Sequence, residues 1–288
     1  MRLRVLLACA VALAAGTPAA SSAEHVSDIP TYQRYVALGD SYAAGPGIPE
    51  QTGGGCGRST ANYPALLAEW LEVPTFVDVS CGGAVTADLR AAQRLGQGTA
   101  EPQFAALTAD TDLVTLTVGG NDVGFGEVLA TCAREGSADP AGDRCRRRYT
   151  ASGSDLLAAR VAKAGQDVVA ALRTIHQRAP DAEVVVVGYP RILPAGAGCW
   201  PLVPFAAGDT AYFDATQRLL NSTLAAAAAE NGDTFVDPYP YAEGRDACAP
   251  PVRRWVEPLR PASPASPVHP NAAGMAAVAA LAWLAATR

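Results

Sequence analysis

Short apolar runs rich in β-branched residues recur along this chain, and most are followed by a stretch with helical spacing. Continuous apolar runs of this kind are typical of strands that are buried on both faces. Strands that alternate with helices indicate an α/β fold, in which helices cover both faces of a parallel sheet. The predicted strands are residues 34–38, 75–79, 113–118, 184–187 and 234–236.

The predicted helices lie between and after these strands. Residues 155–178 place apolar side chains at helical spacing and stop before Pro180, which cannot continue a helix. No linker or internal repeat divides the chain, so a single α/β domain is expected. The other predicted helices span residues 63–71, residues 209–230 and a last segment from Asn271 onward.

The first 23 residues predict a secretion signal peptide. Arg2 and Arg4 form a positive start, residues 5–15 are apolar, and residues 21–23 offer a small-residue cleavage site. No other stretch approaches the ~20 apolar residues of a membrane span. We therefore expect a secreted protein without stable membrane insertion, whose mature part is one domain over residues 24–288.

Cysteine usage agrees with export. Six cysteines remain after the signal peptide, and an even number in an oxidising compartment suggests three disulfides, although many connectivities are possible. A zinc cluster is the alternative, but no Cys-x-x-Cys pair exists and no histidine lies near a cysteine in the sequence. The six are Cys56, Cys81, Cys132, Cys145, Cys199 and Cys248.

The charge balance argues against nucleic acid as a partner. The chain has 22 Lys and Arg residues against 28 Asp and Glu residues, a net charge of −6, which leaves no basic face to neutralise phosphates. One basic cluster occurs at residues 144–149. It predicts a solvated loop beside a disulfide, with a patch for lipid headgroups as the alternative.

Three of the predicted strands are followed by residues that suit a catalytic site. In parallel sheets, ligands bind beyond the carboxyl ends of the strands. Ser41 follows the first strand in a Gly-Asp-Ser-Tyr turn, where it could serve as a nucleophile or only cap a helix. Gly83 follows the second strand in a pair of glycines that could simply form a tight turn. Asn121 follows the third strand after two glycines, which permit close approach to the backbone.

His269 is the one plausible general base. Of the three histidines, His25 lies next to the predicted cleavage site and His176 lies on a predicted helix, as a surface or boundary residue. A serine early in the chain, a histidine late, and hydrogen-bond donors between them suit acyl transfer.

These blocks resemble those of the SGNH (GDSL-type) hydrolases, and in particular the secreted actinobacterial lipase, phospholipase and esterase branch. The resemblance spans the chain from Tyr35 to the last helix, with the blocks in family order. It implies a three-layer α/β/α domain with a five-stranded parallel sheet. The blocks are Gly39-Asp40-Ser41-Tyr42, Gly83, Gly119-Gly120-Asn121-Asp122 and His269-Pro270-Asn271.

The resemblance assigns roles to these residues. Ser41 would be the nucleophile and His269 its base, while the N–H groups of Ser41 and Gly83 and the Asn121 side chain would form the oxyanion hole. Donors that meet the developing charge contribute about 3–4 kcal/mol each. Asp40 is expected to be structural, accepting backbone N–H groups in the turn. All these groups belong to the protein, so neither a cofactor nor a metal is expected.

The chain departs from the family at one position. Many members have an aspartate three residues before the histidine, and here that residue is Ser266. We expect the backbone carbonyl of Ser266 to orient His269 instead, with Asp237 as an alternative acid. The resemblance also implies disulfides between cysteines that are neighbours in sequence, Cys56–Cys81, Cys132–Cys145 and Cys199–Cys248.

The expected function is that of a secreted, monomeric serine hydrolase that cleaves carboxylic esters. The expected substrates are lipid acyl esters, as for a lipase or phospholipase A1. A short-chain or carbohydrate acetyl esterase is the alternative within the same chemistry. A catalytically silent glycan-binding protein is the alternative from a different class, because fold alone does not decide function.

Overall fold

Five short strands pair in parallel to form the central sheet. The computed structural model describes residues 30–288, so the predicted signal peptide lies outside the described residues. The spatial order of the strands is β2-β1-β5-β6-β7. These strands are β1 (Arg34–Gly39), β2 (Thr75–Asp78), β5 (Leu113–Thr117), β6 (Glu183–Val187) and β7 (Thr234–Val236), and two short antiparallel strands, β3 (Gln93–Arg94) and β4 (Thr99–Ala100), pair outside the sheet.

The three-layer α/β/α architecture is confirmed. Successive side chains of a strand point to opposite faces, so each continuous apolar strand supplies two cores. One face packs against α2 (Tyr63–Trp70) and α8 (Ala272–Ala286) through Tyr35, Ala37, Leu113, Val185 and Val187. The other face packs against α6 (Leu156–Arg178) and α7 (Ala207–Asn231) through Val36, Leu38, Val114, Leu116, Val184 and Val186.

The long helices begin where side chains can cap them. The Asp155 carboxylate accepts hydrogen bonds from two free N–H groups at the start of α6, and the Asn271 side chain caps α8 in the same way. The predicted helix bounds hold to within two residues. The remaining elements are α1 (Ser41–Ala44), α3 (Gly120–Val123), α4 (Phe125–Ala138), α5 (Arg144–Thr150) and the 3-10 turns Thr86–Leu89, Gln103–Ala106 and Pro240–Ala242.

The predicted solvated loop at residues 144–149 is wrong, because these residues form helix α5. Tertiary packing explains the difference. Cys145 and Tyr149 are buried in the core, and the Asp209 carboxylate accepts the N–H groups of Cys145 and Arg146 at the start of the helix. Ion pairs with Asp139 and Asp143 occupy three of the arginines.

Three disulfides join the cysteines in the order that the family resemblance implied. They are Cys56–Cys81, Cys132–Cys145 and Cys199–Cys248. The second of these joins helix α4 to helix α5, and the other two join loops. Within residues 30–288, no helix is long and apolar enough to cross a bilayer.

Candidate active site

Ser41 stands at the junction between β1 and α1. Gly39 closes the strand with φ of +147°, and a side chain there would lie 2.5 Å from the Thr117 carbonyl oxygen, so glycine is required. Asp40 then caps α1, and its Oδ1 accepts the Tyr42 N–H at 2.8 Å. This is the structural role predicted for Asp40. The turn presents Ser41 as the first residue of α1, with its hydroxyl in a cleft.

A buried tyrosine ties the Ser41 turn to the Asn121 turn. The Tyr189 hydroxyl donates to Asp40 Oδ2 at 2.6 Å and accepts the Gly120 N–H at 2.8 Å. Burial raises the pKa of Asp40 to about 7, while its hydrogen bonds to Tyr189 and Tyr42 favour the charged form. One side chain therefore sets the spacing between the nucleophile and the amide.

His269 meets Ser41 directly. Its Nε2 lies 2.8 Å from Ser41 Oγ, and its Nδ1 lies 2.7 Å from the carbonyl oxygen of Pro267. A carbonyl can only accept, so Nδ1 must carry the proton and Nε2 offers its lone pair to the Ser41 hydroxyl.

A backbone carbonyl orients His269, but the expectation that it belongs to Ser266 is wrong. The acceptor is the carbonyl of Pro267. The Ser266 carbonyl accepts the backbone N–H of His269 at 3.2 Å and so closes a tight turn. Val268 within that turn has φ of +59°, which places the Pro267 carbonyl beside the imidazole.

Asp237, the alternative acid, has other partners. Its Oδ1 accepts the Asn221 side-chain amide at 3.1 Å and the Tyr239 N–H at 3.0 Å. Among residues 30–288, no carboxylate makes a hydrogen bond to His269. The geometry is that of a serine–histidine dyad completed by a main-chain carbonyl.

The loop that carries His269 is fixed on two sides. The Tyr42 hydroxyl donates to the Val268 carbonyl at 2.6 Å, and the Tyr42 ring centroid lies 5.1 Å from that of the imidazole. The backbone of buried Glu257 pairs with both His269 and Val268. Desolvation lowers the pKa of His269, and the Pro267 hydrogen bond opposes this shift. The imidazole is thereby kept neutral and able to accept a proton.

Asn121 and Gly83 lie on adjoining loops. The Asn121 amide donates one hydrogen to the Ala84 carbonyl at 2.9 Å, and its second hydrogen meets no acceptor among residues 30–288. Gly83 itself has φ of +78°, a conformation that favours glycine. Gln93 Nε2 donates to the Gly82 carbonyl at 2.8 Å and so holds the peptide whose other end is the Gly83 N–H.

Free backbone donors are available at this edge of the sheet. Within the described residues 30–288, neither the Ser41 N–H nor the Gly83 N–H donates a hydrogen bond to the protein. Ser41, Asn121 and His269 line one cleft. Gly83 does not line it, but it directly precedes Ala84, whose carbonyl accepts the hydrogen bond from Asn121. The remaining walls are largely apolar, from Tyr42, Phe125, Leu129, Ile192 and Val268.

Sequence reasoning missed three residues of this arrangement, Tyr189, Gln93 and Pro267. Tyr189 could have been found, because it follows the fourth strand of the sheet at the edge where ligands bind. Gln93 and Pro267 carry no sequence signal, since their contacts depend on loop conformations.

The fold and the site together define a serine hydrolase of the α/β/α type. Residues 37–277 match the GDSL-like Lipase/Acylhydrolase family. The chain is 41% identical over 249 residues to Lipase 2 of Streptomyces coelicolor, covering 84% of this chain and 82% of that protein.

Two solved structures are similar over almost the whole chain. Phospholipase A1 from Streptomyces albidoflavus NA297 has a TM-score of 0.68 and 29% identity, covering 90% of this chain and 100% of that one. The extracellular lipase of Streptomyces rimosus has a TM-score of 0.68 and 30% identity, covering 89% and 100%. The chain belongs to the GDSL-like lipase/acylhydrolase family and is a carboxylic ester hydrolase.

Proposed function

We propose that this protein hydrolyses lipid acyl esters through an acyl-enzyme on Ser41. One observation carries the proposal: Ser41, His269 and the Pro267 carbonyl form a continuous hydrogen-bonded chain that opens into an apolar cleft. A serine hydroxyl becomes a good nucleophile only when a base removes its proton during attack.

The first half of the reaction forms the acyl-enzyme. Ser41 Oγ bonds to the ester carbonyl carbon while its proton passes to His269 Nε2, and the Pro267 carbonyl stabilises the Nδ1–H of the resulting imidazolium. When the tetrahedral intermediate collapses, the bond to the alcohol oxygen breaks and His269 returns the proton to that oxygen. In the second half, water takes the place of Ser41 as nucleophile, the acid leaves, and the serine hydroxyl is restored.

We propose that three donors meet the developing oxyanion. These are the N–H groups of Ser41 and Gly83 and the free amide hydrogen of Asn121. The contacts of Gln93 and Tyr189 support this role, because each holds a donor loop before substrate arrives. Donors oriented in advance need no reorganisation during the reaction.

The lipid substrate and the extracellular location are inferred from the cleft, the disulfides and the relatives. An apolar wall suits an acyl chain, and burial contributes about 0.8 kcal/mol for each methylene. Three disulfides persist in oxidising compartments. We accordingly propose that residues 1–23 are removed on export and that residues 24–288 act as one monomeric domain.

A series of nitrophenyl esters from acetate to palmitate, assayed beside phosphatidylcholine and triacylglycerol, tests this proposal. We expect kcat/KM to rise by roughly 10-fold or more from acetate to medium chains, because each methylene that enters an apolar pocket adds to transition-state binding. Acyl release from phosphatidylcholine or triacylglycerol would then identify the lipid class. Maximal activity on acetate, or on acetylated carbohydrate with no lipid hydrolysis, would instead identify an acetyl esterase.

Replacing Asn121 by alanine tests the oxyanion donor. We expect kcat to fall by ~100- to 1,000-fold with a smaller change in KM, because this hydrogen bond strengthens as negative charge develops. Asn231 provides the matched control, since its amide also donates to a backbone carbonyl, that of Ala227, far from the cleft. Asn231→Ala should leave kcat unchanged. A rise in KM at constant kcat would mean that Asn121 binds substrate only.

A further inference from the structure

An apolar groove with a positively charged wall lies outside the catalytic cleft. Pro201, Leu202 and Pro204 form one side and Leu259 and Arg260 the other. Trp200, which precedes this segment, is 51% exposed, and Leu202 is 42% exposed. Single exposed apolar side chains are common, but here two of them adjoin an apolar groove, and contiguous exposed apolar patches mark interaction sites. We name Trp200, Leu202, Leu259 and Arg260 the Trp200 surface.

The first wall of this surface continues from the cleft. The chain runs from Ile192, which lines the cleft, to Trp200 within a few residues. The Cys199–Cys248 disulfide holds the residue before Trp200, and the Ala247 N–H donates to the Ile192 carbonyl at 3.0 Å. The exposed apolar side chains are thereby held on a braced segment.

The second wall continues from the loop that carries the catalytic histidine. Leu259 and Arg260 follow Glu257, whose backbone pairs with Val268 and His269. Glu257 Oε2 also accepts the Ala262 N–H, which anchors the segment beyond Arg260. Both walls are therefore joined to segments that line the cleft, one through Ile192 and one through Val268 and His269.

The charge of these segments contrasts with that of the whole chain. The net charge of the protein is −6, yet the segments 189–208 and 244–268 contain two acidic residues, Asp246 and Glu257. Both are buried, at 4% and 0% exposure. Arg245, Arg253 and Arg260 are exposed in the same segments. Of these, Arg260 lines the groove and presents positive charge beside its apolar side chains, while exposed Glu243 lies just before the second segment.

Tryptophan, leucine and arginine side chains together suit the boundary between water and an anionic lipid layer. Tryptophan rings favour the headgroup region, leucine enters the acyl region, and arginine pairs with phosphate. We infer that the Trp200 surface docks the enzyme on an anionic lipid surface, so that the mouth of the cleft faces the lipid. This inference rests on the proposed function. It adds that the enzyme meets its lipid substrate at the surface of a lipid layer.

Vesicle binding by the full-length mature protein tests the inference apart from catalysis. All variants carry Ser41→Ala, so no lipid is consumed, and binding to phosphatidylglycerol and to phosphatidylcholine vesicles is measured by co-sedimentation. Trp200→Ser and Leu202→Ser should each weaken binding to both vesicles, by about 10-fold for Trp200→Ser. Arg260→Gln should weaken binding to phosphatidylglycerol alone, by about fivefold at low salt.

Matched controls lie elsewhere on the surface. Trp70, at the end of α2, is 42% exposed, and Arg173 is a surface arginine on α6. Trp70→Ser and Arg173→Gln should bind both vesicles as strongly as the Ser41→Ala parent. Equal losses in the controls and in the Trp200 surface variants would overturn the inference, as would undiminished binding by Trp200→Ser and Leu202→Ser.

Hydrolysis of a water-soluble ester separates this inference from the proposed function. With Ser41 intact, Trp200→Ser, Leu202→Ser and Arg260→Gln should hydrolyse nitrophenyl butyrate at the parent rate while losing activity on vesicles. Equal activity of the parent and these variants on vesicles would refute the docking role and leave ester hydrolysis standing. A parent that hydrolyses no ester, yet binds vesicles through these residues, would refute only the proposed function.

Discussion

Replacing Ser41 by alanine is expected to reduce ester hydrolysis by about 10⁴- to 10⁶-fold while the protein remains folded. Within residues 30–288 the Ser41 side chain makes one hydrogen bond, to His269, and none that supports the fold. Without the hydroxyl no acyl-enzyme can form, and the residual rate comes from the oxyanion donors and substrate binding alone. Steady-state kinetics and circular dichroism of the purified variant measure the two parts of this prediction.

A fluorophosphonate probe gives a direct readout of the same nucleophile. The wild-type protein should be labelled on Ser41, and Ser41→Ala should not be labelled. Ser59 is also buried and accepts a backbone hydrogen bond, so Ser59→Ala is a matched control that should retain labelling. Activity of Ser41→Ala within tenfold of wild type would remove Ser41 from the role of nucleophile. Absence of labelling in a folded wild-type protein would instead favour the silent glycan-binding alternative.

His269→Ala is expected to cost about 10⁴-fold or more in kcat, because among the described residues 30–288 only His269 accepts a hydrogen bond from the Ser41 hydroxyl. The pH profile of the wild-type enzyme provides a second measurement. Neutral imidazole is the active form, so kcat/KM should rise with pH through the pKa of His269. Burial lowers this pKa, which places the acid limb below the ordinary histidine value of about 6.5. An acid limb above that value would contradict the desolvated environment.

Two further variants test whether the site is a dyad or a triad. Ser266→Ala should keep most activity, since its side chain takes no part in orienting the imidazole and the acceptor is the main-chain carbonyl of Pro267. Asp237→Asn should likewise retain activity, because Asp237 bonds to Asn221 and Tyr239. If Asp237→Asn were as damaging as His269→Ala, an acid would complete a triad and the dyad would be wrong.

Tyr189 connects the chemistry of the site with the stability of the fold. Its hydroxyl bridges Asp40 and the Gly120 N–H, and Asn221 from α7 anchors its backbone. A buried network in which every member has a partner is rigid, because breaking it leaves a polar group unsatisfied. This rigidity holds the Ser41 and Asn121 turns at a constant separation.

Much of the fold follows from local properties of the sequence. Apolar runs predicted all five strands of the sheet. The three central strands, β1, β5 and β6, are buried on both faces, and such strands consist almost entirely of apolar residues. Helix α6 was predicted from the spacing of its apolar residues and from the stop before Pro180, and α8 was predicted from Asn271 onward. The structure adds that the side chains of Asp155 and Asn271 cap these helices. Helix α5 was missed, because its formation depends on buried Cys145 and Tyr149 and on distant Asp209.

The sequence by itself determined the layer order of the fold, the family blocks and the identities of Ser41, Asn121 and His269 as candidates. These depend on side-chain type and on position at a strand or helix end, which are local properties. Only the tertiary structure decided that Pro267 orients the imidazole, that Tyr189 joins two turns and that the segments carrying Leu202 and Arg260 meet at one groove. Each of these depends on residues far apart in sequence, or on a backbone turn such as that at Val268, whose direction is set by packing and not by residue type.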